Sequence, residues 1–185
     1  MTLDEIIPLL HQWAQSDHYK LPHGATESQI DDLERNLQMT LPAELRLWLL
    51  FCNSPVIGHA GVFGIARRSS GWGIEQYYRS RPQWEGKGWI PIATDSCGDL
   101  YAIDVSNEID GLHPIYFFDQ ADENHPDYLV ASCLWTFLYF LLEKAGGKDY
   151  WPFEKEQVLA IDPPMEKYVG STPFPWDLET EENRD

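Results

Sequence analysis

From Thr26 to Asn53 the apolar positions recur at helical spacing. Ile30, Leu33 and Leu37 share one side of a first helix, leaving Asp31, Asp32, Glu34 and Arg35 for water. Thr26 with Gln29 three residues on is the spacing of a capping box, so this helix is predicted to start there. Thr40-Leu41 breaks the repeat, and Pro42 suits the first turn of a second helix. Leu45, Trp48, Leu49 and Cys52 form its buried stripe, widened by Leu47 and Phe51. An earlier amphipathic helix is predicted from Leu3 to Gln15, with Ile6, Ile7, Leu10 and Trp13 on one side and Pro8 starting or bending it.

After Asn53 the period shortens. Val62-Phe-Gly-Ile reads as a short strand, and Trp89-Ile-Pro-Ile-Ala and Leu100–Val105 as two more, joined by the turn Asp95-Ser-Cys-Gly-Asp into a hairpin. Leu100–Val105 alternates as a half-buried strand does. Pro114–Asp119 continues the meander. Within the irregular stretch 67–88, residues 71–79 are expected to make a turn or two of helix. Ser132 is predicted to cap a late helix running to about Lys144, ended by Gly146-Gly147. Residues 154–159 read as a short helix or an edge strand, while Asp162-Pro-Pro and Pro173-Phe-Pro-Trp read as extended straps. Helices on either side of a run of strands predict an α+β fold, an antiparallel sheet meander covered by helices on one face. Residues 1–24 are expected to add a helix and connector, 25–176 to form the domain, and 177–185 to be an acidic disordered tail.

The order Ile30, Leu33, Glu34, Leu37, Leu41, Pro42, Leu45, Leu49, Asn53 resembles the opening of the Smi1/Knr4 (SUKH) superfamily. Later segments fit: a tryptophan-led hairpin, a late apolar helix and a closing Pro-Trp pair. One departure is Ser54-Pro55, where the family has a glycine after the asparagine. The resemblance implies a SUKH-like fold and a protein-binding role without catalysis. Many bacterial relatives are implied to be immunity proteins that neutralise a cognate toxin, whereas fungal relatives suggest a housekeeping scaffold.

Composition narrows the partners. The chain of 185 residues has 30 acids against 13 bases, a formal charge of −17. Its stretch 177–185 holds five acids and one arginine, a net of −4, so −13 belongs to the remainder. Such a chain repels nucleic acid and anionic membrane and attracts a basic protein. The N-terminus has no basic leader before its apolar residues, and three scattered cysteines without a C-x-x-C pair point to reduced thiols, so a cytoplasmic protein is expected.

Asp95, Asp99, Asp104, Asp119, Asp122 and Glu123 lie at predicted turns and strand ends, and form the candidate acidic face. A carboxylate pair for acid–base work or a divalent-cation site needs such residues, but Asp and Gly are also what turns use, and no spacing matches a known metal loop. His59, His113 and His125 sit in loops without H-x-x-x-H spacing, and no serine lies in a G-x-S-x-G elbow. No catalytic residue, metal or cofactor is therefore assigned; a carboxylate-based hydrolase or metal enzyme is the alternative class. Five of the 13 bases fall in 67–88 beside aromatic residues, so Trp72, Tyr77, Tyr78 and Trp84 are second candidates for partner contact. Trp89, Tyr116 and Trp135 are assigned to the core.

Overall fold

The computed structural model describes residues 1–66, 73–168 and 172–182. Helix α1 (Leu3–Ser16) precedes α2 (Glu27–Leu37) and α3 (Ala43–Phe51). A six-stranded antiparallel sheet follows in chain order: β1 (Val56–Ile57), β2 (Ala60–Val62), β3 (Trp89–Thr94), β4 (Leu100–Asp104), β5 (Ile115–Phe118) and β6 (Tyr128–Ala131). The short helix α4 (Ile74–Arg79) lies between β2 and β3. After the sheet come α5 (Leu134–Ala145), α6 (Lys155–Ile161) and α7 (Pro175–Glu182). The predicted α+β class and meander are thus observed.

Local chemistry explains the helical hairpin. Gln29 N–H donates to Thr26 Oγ1 at 3.3 Å, and Thr26 N–H donates to Gln29 Oε1 at 2.9 Å, closing the capping box. Ile30, Leu33 and Leu37 are buried as predicted. Arg46 of α3 then reaches back to the wet side of α2, meeting Glu34, Glu27 and Asp31 at 2.6, 2.7 and 3.0 Å. Leu41 N–H donates to Glu34 Oε1, which fixes the hinge between the helices. Pro42 is the N-cap of α3 rather than its first residue, and Leu47 is 49% exposed rather than part of the stripe.

The strand expected at Val62–Ile65 is displaced toward the N-terminus, into the β1–β2 hairpin. Asn53 explains why. Its side-chain amide donates to Ile65 O at 3.1 Å and accepts from Ile65 N–H at 2.7 Å, so Ile65 pairs with a side chain instead of a strand. Gly64 makes room for this: a Cβ there would stand 2.0 Å from Asn53 Oδ1.

β3 and β4 are buried along their whole length, so the sheet is covered on both faces and not on one. Tyr101 packs on Phe137 of α5 and on Trp151. Its chain neighbour Leu100 points to the other face with its partner Phe118, and there Phe118 meets Trp84. Trp89, Tyr116 and Trp135 are in the core as assigned.

α5 is capped from a distance. Cys133, not Ser132, is its N-cap, with no side-chain cap bond of its own. The Ser132 hydroxyl and N–H both donate to buried Asp162, at 2.5 and 2.7 Å, while Leu134 N–H donates to Glu44 Oε2 at 3.1 Å. Residues 163–168 are a 3-10 helix instead of an extended strap, begun by Met165 N–H to Asp162 O. Residues 155–161 take the helical alternative, and α7 extends into the stretch expected to lack structure, with Phe174 N–H donating to Asp177 at its start.

Candidate functional site

Antiparallel pairing decides which acids meet. Leu100 is the register partner of Thr94 and of Phe118, so the β3–β4 turn and the β5–β6 loop emerge at the same end of the sheet. Asp95, Asp99, Asp119 and Asp122 are brought together there, along with Asp127, which the sequence reading did not single out. Asp127 stands just before β6, and its only sequence signal was its place at a strand start after Pro126.

Turn chemistry fixes these carboxylates. Asp95 Oδ1 accepts the N–H groups of Cys97, Gly98 and Asp99 at 2.8, 3.0 and 3.1 Å. Gln120 N–H donates to Asp99 Oδ1 at 3.0 Å, and Gln120 Nε2 to Cys97 O at 2.9 Å, which ties the two loops together. Asp119 Oδ1 accepts from Ala121 N–H, and Asp127 Oδ2 from Asp119 N–H at 2.8 Å. The backbone and side-chain amides of Asn124 hold the Asp122 carboxyl below its ordinary value. Asp127 is pushed up, chiefly by burial, against the hydrogen bond from Asp119.

Two predicted members belong elsewhere. Asp104 ends β4 while Asp99 precedes it, so the pair lies on opposite rims, about 16 Å apart at roughly 3.3 Å per residue. Asp104 is buried, and its Oδ1 accepts from Ser106 N–H and Oγ at 2.9 and 2.6 Å. Glu123 is near the rim in sequence but is neutralised by Arg81 at 2.5 Å, in a pair whose side chains are 12% and 20% exposed.

The aromatic candidates divide as well. Trp84 is fully buried, between Trp89 and Phe118, and its Nε1 donates to Glu123 O at 2.6 Å; it is a core residue. Tyr77 is half-buried and stacks on Phe63 at 4.1 Å. Tyr78 lines a cleft of about 730 Å³ between the C-terminal end of α2 and residues 78–88. Trp72 lies outside the described residues.

Among the described residues, Asp95, Cys97 and Asp99 each place one ligand atom within 4.8 Å of the others. Both Asp Oδ1 atoms already serve backbone N–H groups, and no metal is assigned to the set. His113 is not the loop-surface residue its sequence context suggests. Its Nδ1 is buried and stands 3.9 Å from Glu44 Oε1, and neither atom has a hydrogen-bond partner among the described residues.

Helices around a six-stranded antiparallel meander define an α+β domain. The chain belongs to the SMI1/KNR4 family (SUKH-1), whose family model matches residues 24–139. No curated protein matches it. Membership supports a non-catalytic domain with a protein partner. Among the described residues no helix is long and apolar enough to cross a membrane.

Proposed function

We propose that this domain binds a basic protein through the rim of Asp95, Asp99, Asp119 and Asp122, and that it acts as an immunity protein neutralising a cognate toxin. The gathering of these carboxylates at one end of the sheet is the observation that carries the reading. A nuclease toxin must present cations to phosphate, and an acidic inhibitor occupies the same cleft with steered association. A rim whose loops are already tied together loses little freedom on binding, so more of the contact energy remains as affinity. Asp104, Glu123 and Trp84 leave the set, Tyr77 packs on Phe63, and Tyr78 belongs to a separate cleft.

The test is capture from the source cells, with the product of the adjacent gene included, followed by mass spectrometry. The expected partner is a basic, toxin-like protein whose binding weakens steeply with salt. Asp95→Lys with Asp119→Lys should lower its affinity at least about tenfold, given like-charge contacts at the interface. Undiminished binding by that double variant overturns the rim. Recovery of housekeeping enzymes instead supports a scaffold role.

A further inference from the structure

The rim adjoins a hollow in the sheet. Val56, Gly61 and Thr94 are register partners across β1, β2 and β3, so the three positions share one face. The middle position carries no side chain. A Cβ at Gly61 would meet, among the described residues, the Thr94 Cγ2 methyl at 3.5 Å and nothing else within 4 Å. The result is a hollow of about 390 Å³, lined by Pro55, Val56, Gly61, Phe63 and Thr94 among others.

Local chemistry makes its walls apolar. The Thr94 hydroxyl donates to Asp99 O at 2.9 Å, inside the β3–β4 turn, and the methyl is left on the side of Gly61. Val56 is 48% exposed, and among the described large apolar side chains that are exposed it is the one carried by a strand. An exposed valine beside an unfilled hollow is surface whose burial would be favourable.

Position ties the hollow to the rim. Asp95 follows Thr94 directly in the chain and also lines the hollow. A typical interface covers about 800 Å² on each partner, so a protein seated on the rim extends over its immediate neighbours. Exposed ion pairs add little affinity, and tight complexes depend on a few side chains buried in central pockets. A small apolar ligand would gain nothing from the carboxylates. A second copy of this chain would bring its own charge of −17 against the rim, and like-charge repulsion opposes that. A basic protein with an apolar residue among its cations suits both features.

We infer that the hollow over Gly61 seats one large apolar side chain of the basic partner, flanked on the partner's surface by the cations that the rim receives. This rests on the rim reading above and adds to it the anchor that the partner supplies. The rim steers the partner, and the hollow holds it.

The experiment is a nuclear magnetic resonance titration of the full chain with two peptides of equal charge, acetyl-Lys-Lys-Phe-Lys-Lys-amide and acetyl-Lys-Lys-Ser-Lys-Lys-amide. The phenylalanine peptide is expected to bind about three- to tenfold tighter, as partial burial of its ring implies. It should also shift Val56, Gly61, Phe63 and Thr94, which the serine peptide should not. Gly61→Val fills the hollow from a position where a Cβ makes only an ordinary contact, and a β-branched residue suits a strand, so the fold is expected to hold. That variant should bring the phenylalanine peptide down to the level of the serine peptide. Val56→Ser, at an exposed site, is a second variant and should weaken the phenylalanine peptide alone. Equal binding of the two peptides, or a preference that both variants leave intact, overturns the hollow while the rim stands. Shifts of the same residues with protein concentration alone would make the occupant a second copy and overturn the inference. Affinity for both peptides that survives Asp95→Lys with Asp119→Lys overturns the rim reading, and this inference with it.

Discussion

Glu44 of α3 caps a helix that begins ninety residues later: its Oε2 accepts the Leu134 N–H at 3.1 Å, at the first turn of α5. The carboxyl is 9% exposed, and burial pushes it up to about 7, outweighing the Leu134 and His113 backbone N–H groups that favour the anion.

The sign of the resulting pH dependence follows. Between the ordinary value of 4.5 and about 7 the folded chain binds the Glu44 proton more tightly than the unfolded chain does. Stability from this group therefore falls as pH rises through that window, by about 3 kcal/mol in all at ~1.4 kcal/mol per unit. His113 acts oppositely, because burial lowers it and the unfolded chain takes up the proton first as pH falls below 6.5. Glu44→Gln keeps an acceptor for Leu134 and removes the titration. Urea unfolding at pH 5 to 8 should show a smaller decline with pH in the variant, and an identical slope would mean that Glu44 titrates normally.

Asp162 takes both donors of Ser132 in a buried site. Asp162→Ala leaves them unsatisfied and should cost about 2–4 kcal/mol, read as a lower denaturant midpoint with unchanged m. A loss under about 0.5 kcal/mol would show that Ser132 finds other partners in solution.

Asn53 mimics a strand partner for Ile65. Asn53→Ala should cost about 1–3 kcal/mol, since both Ile65 backbone groups lose their partner. Amide exchange at Ile65 should rise with it, and continued protection there would contradict the pairing.

Neighbouring acids on the β5–β6 loop should behave differently. Glu123→Ala strands a nearly buried Arg81 and is expected to cost about 2–4 kcal/mol. Asp122→Ala, at an exposed site, should leave the unfolding temperature nearly unchanged. Thermal unfolding of the two variants checks this, and equal effects would mean the Arg81 pair contributes nothing. Binding losses at Glu123 are thus uninterpretable without a stability measurement beside them.

Local signals in the sequence were reliable where they acted over one turn. The Thr26–Gln29 box, the Ile30–Leu37 stripe and the β3–β4 hairpin all stand as read. The failures have non-local causes. Ser132 has the chemistry of a cap, but Asp162, thirty residues on, takes its hydroxyl. Trp84 sits in an irregular basic stretch, yet it is buried because the Glu123 carbonyl receives its indole N–H. Asp104 was a different kind of miss, since five positions along one strand already separate it from Asp99. The hollow over Gly61 needed the register of three strands, which no single stretch of sequence contains.

The dependence of the fold on Trp151 and Asp162 bears on where a workable fragment of this protein ends. Residues 24–139 suffice to recognise the family, but that span stops inside α5. It omits Asp162, which satisfies Ser132 beside the start of α5, and Trp151, whose ring packs on Tyr101, Phe137 and Phe140 and whose Nε1 donates to Val130 O. Cloning to the homology boundary would therefore cut through the hydrophobic interior, and an expression boundary beyond the 163–168 turn is the one that keeps it whole.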